Sequence, residues 1–155
     1  GHPVYSLTVT LFSLLLGTGL GSLVSRRVRM DRVRQITVAA ILAAALAAAS
    51  AAFGLERLVD FSVPWPLGVR VVVAAIVLIP LGVLLGFGLP GGMRMLDRVR
   101  PEIVAWGWGM NGAFSVIGAS FAIFCAMNWG FSVTFLVAAL AYLLAAGLLF
   151  TRPGL

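Results

Sequence analysis

The 155-residue chain is 61% hydrophobic and 10% charged, with a mean hydropathy of +1.09, which excludes a water-soluble domain of ordinary composition. Its 11 basic residues are all arginine and stand against five acids, a net charge of +6. These arginines flank apolar runs and form no basic patch interleaved with aromatics, so nucleic-acid binding is excluded as well.

A helical crossing needs about 20 mainly apolar residues. Segments at about 4–24, 36–55, 71–89, 103–127 and 131–150 meet that need, so the expected fold is an all-α integral membrane bundle of five transmembrane helices in one domain. The first carries Ser6, Thr10, Ser13, Gly17 and Gly21 at helical spacing, a small-residue stripe that ends in a GxxxG pair and marks a packing face. His2 and Tyr5 at its outer end read as interfacial anchors. The chain starts at Gly1 with an apolar run almost at once, which is the expectation for a fragment, a processed chain or a subunit of a larger membrane assembly.

The stretch 25–35 holds Arg26, Arg27, Arg29, Arg32 and Arg34 beside Asp31, and its commonest meaning is a cytoplasmic loop. The second crossing is dominated by alanine; it lacks a bulky stripe and can pack closely on more than one side. In the following connector, 56–70, Pro64 and Pro66 break the helix and Trp65 suits an interface. Glu56 and Asp60, one turn apart, resemble a carboxylate pair, but no His, Cys or further acid stands near them to complete a metal site.

The third crossing contains Pro80, which predicts a kink, and the GxxxG pair Gly82 and Gly86. A second basic connector, 90–102, includes Gly91 and Gly92, with no preceding strand and no GK[ST] to make a phosphate loop. The fourth crossing carries WGWGMNGAFSVIGASFA, in which Gly107, Asn111, Ser115, Gly118 and Ala122 share one small and polar stripe. Met110, Phe114, Ile117, Phe121 and Phe124 form a bulky second stripe. Small residues that permit close approach, and an amide that wants a partner, predict that this helix sits inside the bundle under another helix. Asn111 is also the candidate ligand contact, with Trp106 and Trp108 as an aromatic pair that either holds a cation or, near the start of the helix, marks the membrane interface. Cys125, the single cysteine, forms no intrachain disulfide and reads as a small packing residue.

A short turn at 128–130 leads into the last crossing and makes the final two helices antiparallel neighbours. With five crossings, nine arginines fall on one side and only Arg57 and Arg70 on the other. The positive-inside rule then places Gly1 outside and the C-terminus in the cytoplasm.

Three segments carry a resemblance: GHPVYSLTVTLFSLLLGTGLGSLVS, GFGLPGGMRM and AWGWGMNGAFSVIGASFA. They resemble the membrane region of large bacterial multipass proteins described as spermidine-synthase-like, in which a soluble aminopropyltransferase-type Rossmann domain is joined to membrane helices. A more distant likeness is to the major facilitator superfamily, whose loop reads G-x-L-A-D-R-x-G-R-K. Gly21, Leu23, Arg26 and Arg29 fit that loop, with Ser25 in place of the Asp and Val28 in place of the Gly. Aminopropyl transfer needs a glycine-rich strand-to-helix turn and acids for nucleoside and amine, so the transferase's catalytic residues have no positions here.

The expected function is therefore a non-catalytic membrane domain or subunit. It anchors or scaffolds partner helices or a soluble transferase-like domain, with lipids and other transmembrane helices as partners and no cofactor or metal. The alternative is a transporter, or half of one, for a small amine or other metabolite. Cation transport usually stations acids at membrane depth, and all five acids here lie in connectors. An enzyme would need a nucleophile, base or metal constellation, and one His and one Cys lie far apart.

Overall fold

The computed structural model describes residues 3–151, and the side chains of 4–151. The anchor expected at His2, and the termini used in the topology argument with Arg152, lie outside the described residues. The described chain is four long α-helices and one short 3-10 turn: α1 Pro3–Arg27, α2 Met30–Ser62, α3 Leu67–Val99, the turn Pro101–Ile103, and α4 Val104–Thr151. All four helices are long and apolar enough to cross a membrane.

The helices outrun the apolar segments that announce them. Both α2 and α3 have 33 residues, roughly 50 Å of helix against a hydrocarbon core of about 30 Å. Hydropathy registers where the oil ends, whereas arginine, leucine and glutamate continue a helix well beyond that point. The three connectors accordingly shrink to 28–29, 63–66 and 100, with 101–103 in the 3-10 turn. Pro64 and Pro66 occupy the break between α2 and α3, and Pro101 opens the turn that follows α3. Pro80 and Pro90, by contrast, lie inside an unbroken α3. Each withholds one backbone donor from the carbonyl four residues earlier, so Ile76 and Gly86 lose their intrahelical partner without ending the helix.

The count of five helices is corrected to four. The segments expected at 103–127 and 131–150 belong to one element, because the expected turn is reduced to a single residue, Gly130, with φ 83° and ψ 173° inside α4. Only glycine adopts that backbone geometry readily. Gly107, near the start of α4, lies against Met93 and Leu96 of α3, and Leu149, near its end, lines a cavity with the same two residues. A straight 48-residue helix would hold its ends about 70 Å apart, so the chain reverses at Gly130.

Instead of a closed bundle the helices form an open row in the order α1, α3, α2, α4. α1 and α3 run parallel, with Gly17 beside Gly82 and Ser25 beside Arg94. α2 runs antiparallel to α3, with Thr37 against Gly91 and Ile41 against Gly88. The second half of α4 returns along the other side of α2, from Phe131 opposite Glu56 to Leu149 opposite Arg34. Alanine explains the central position of α2. Its buried residues include Ala40, Ala44, Ala45 and Ala52, so two neighbours approach it from different sides.

Candidate functional site

The tightest interface is a glycine seam. Ser13, Gly17, Gly21 and Ser25 are buried at intervals of one helical turn along α1, and Gly82 and Gly86 are buried on α3. A methyl group added at Gly17 would sit 2.9 Å from the Gly82 Cα, one at Gly21 would meet the Val83 carbonyl, and one at Gly86 the Thr18 carbonyl. These are backbone atoms that no rotamer change moves aside. Next to the seam, Gly91 of α3 accommodates Thr37, which is 1% exposed.

Two arginines near the same end of the row close helix termini. The last four carbonyls of a helix have no intrahelical donor. Arg94 donates from Nη1 to the Ser25 carbonyl at 2.5 Å and from Nη2 to the Val28 carbonyl at 2.9 Å, sealing the end of α1 from α3. Arg34 donates from Nε and Nη2 to the Leu149 carbonyl at 3.1 and 2.8 Å, and from Nη2 to the Phe150 carbonyl at 2.8 Å. Positive charge there also complements the helix dipoles.

The five arginines expected to share a cytoplasmic loop thus divide. Arg34 lies on α2 and caps α4; Arg29 pairs with Asp31 at 3.2 Å in an exposed contact; Arg26, Arg27 and Arg32 are exposed and their guanidinium groups bond to no described residue. Arg100 and Glu102 form a looser exposed pair at 3.8 Å. Sequence reasoning missed both capping roles. The available signal was an arginine one or two turns inside a helix boundary, facing the end of a neighbour.

The stripe on the first half of α4 has a different fate. Only Gly107 is partly covered, by Met93 and Leu96. Asn111, Ser115, Gly118 and Ala122 are exposed, and a Cβ added at Gly109, Gly112 or Gly118 would meet nothing within 4 Å. The expectation that this helix sits inside the bundle is corrected: every residue from Trp108 to Phe124 is exposed, the small stripe and the bulky one alike. Ser115 turns its hydroxyl back to the Asn111 carbonyl at 2.7 Å, while the Asn111 amide bonds to no described residue. Trp106 and Trp108 are 74% and 54% exposed and enclose no cage with Asn111. Cys125 is buried, at 2% exposure.

Glu56 and Asp60 line an open groove of about 590 Å³ with Phe131, Ser132 and Phe135. Among the described residues no three His, Cys, Asp or Glu side chains come together. Comparison with protein-family models, with curated proteins and with solved structures finds no match to this chain.

Proposed function

We propose that this chain is a non-catalytic membrane domain that presents the exposed stripe of α4 to a helix of another polypeptide, or of another part of its own. The observation that carries this reading is the uncovered run Asn111, Ser115, Gly118 and Ala122. Left against lipid, a row of small residues forgoes close packing and an amide lacks a partner, and a second helix supplies both. On this reading α4 crosses the bilayer twice, once on each side of Gly130, giving five crossings. The arginine-rich end, from Arg26 to Arg34 and from Arg94 to Arg100, then faces the cytoplasm of a bacterial inner membrane. The resemblance of three segments to spermidine-synthase-like membrane regions nominates a soluble transferase-like domain as what the assembly anchors.

A photo-crosslinking side chain at Ser115 tests the proposal in native membranes. It should yield a discrete protein adduct, and the same group at Leu144, 61% exposed on the other half of α4, should yield lipid adducts. Lipid adducts from both positions would count against the reading.

One observation favours the alternative, transport of a small amine: the Glu56 and Asp60 groove sets carboxylates beside the rings of Phe131 and Phe135. Uptake of a polyamine into proteoliposomes, abolished by Glu56→Gln with Asp60→Asn, would support it. Uptake no greater than that of empty vesicles would dismiss it.

A further inference from the structure

At the end of the row opposite the arginine cluster, two cavities share a wall between α1, α2 and α3. One, of about 380 Å³, is lined by Ser6, Thr10, Ser62 and Arg70. The other, of about 300 Å³, continues beside it and is lined mainly by aliphatic side chains, among them Leu55, Leu58, Val77 and Leu78. Thr10, Ser62, Arg70 and Ala74 belong to both.

The polar half is short of a negative charge. The Arg70 guanidinium forms no ion pair or hydrogen bond with any described residue, and Ser6 and Thr10 likewise leave their hydroxyls unspent on them. The acids nearest in sequence, Glu56 and Asp60, line the separate groove against Phe131. A guanidinium beside two hydroxyls matches a phosphate oxyanion, and an aliphatic slot opening from the same point matches a hydrocarbon chain. Among the ligands of a bilayer, an anionic phospholipid carries both parts covalently joined.

We propose that the twin cavity holds one anionic phospholipid, its phosphate on Arg70, Thr10 and Ser6 and one acyl chain along Leu58 and Val77. The proposal rests on the membrane placement given above but not on any partner helix.

The test is native mass spectrometry of the full chain extracted in mild detergent and titrated with phosphatidylglycerol or with phosphatidylcholine of the same chain length. The wild type should retain one phosphatidylglycerol in preference to phosphatidylcholine. Arg70→Gln should weaken that retention about fivefold, Arg70→Lys should keep most of it, and Arg57→Gln, at a cation that lines neither cavity, should change nothing. Ala74→Leu, which fills the shared wall and leaves the charge in place, should also reduce retention. Equal retention of the two lipids, or no effect of Arg70→Gln, would overturn the proposal. So would displacement of the lipid by millimolar inorganic phosphate, since that would show an anion site with no need of a chain. Alkaline carbonate extraction of the same membranes separates the two ideas: release of the chain refutes the bilayer placement, whereas a chain that resists extraction yet shows no lipid preference refutes this site alone.

Discussion

Gly82 shows how little room a single position can have. Its Cα lies against Gly17, and any side chain would press on the Leu14 carbonyl and the Thr18 amide, so Gly82→Leu must push α1 and α3 apart. Overpacking costs of this kind run to about 1–3 kcal/mol, and the upper end applies where the obstacle is backbone. Gly19 is the control, because it sits on the same helix with open space at its Cβ. Gly17→Leu and Gly82→Leu should lower the thermal stability and yield of the detergent-purified chain, and Gly19→Leu should leave both unchanged; three equal results would refute the seam. Arg94 is the second residue with an outsized role. Arg94→Met keeps the aliphatic stem but abandons the carbonyls of Ser25 and Val28, at a cost of about 1–3 kcal/mol, which chemical denaturation in mixed micelles should register. A cost indistinguishable from that of Arg98→Met, at an exposed arginine with no described partner, would contradict the capping role.

Among the elements, α4 departs most from its reading in the sequence. The glycine at 130 was legible as a turn, but not that one residue at φ 83° would suffice for it. Gly130→Ala places a Cβ in a backbone region nearly reserved for glycine, at a cost of about 1–3 kcal/mol. Spin labels at Val104 and Thr151 should read a distance far short of the roughly 70 Å of a straight helix, with a broadened distribution in Gly130→Ala. A wild-type distance near the straight-helix value would remove the reversal. Element type was legible because every segment is apolar for long enough that only a helix satisfies its backbone in oil. Element length was not, since hydropathy falls at the headgroups while helical hydrogen bonds continue past them. The small stripe of α1 could be read as a packing face from spacing alone. Its partner could not, because Gly82 and Gly86, the stripe on α4 and the alanines of α2 all offer compatible surfaces.

For the whole molecule, the open row leaves the chain with two kinds of surface. Large side chains such as Leu15, Phe53 and Ile76 are more than 60% exposed and suit lipid, which needs no complementary shape. On the proposed reading, the stripe from Asn111 to Ala122 is the surface that a partner helix covers. Oxygen accessibility of spin labels placed singly from 107 to 122 in native membranes tests this most directly. The account predicts an oscillation at the helical period, with minima at Asn111, Ser115, Gly118 and Ala122 and maxima at Met110, Phe114, Ile117 and Phe121. A flat profile, as accessible at Ser115 as at Phe114, would contradict it.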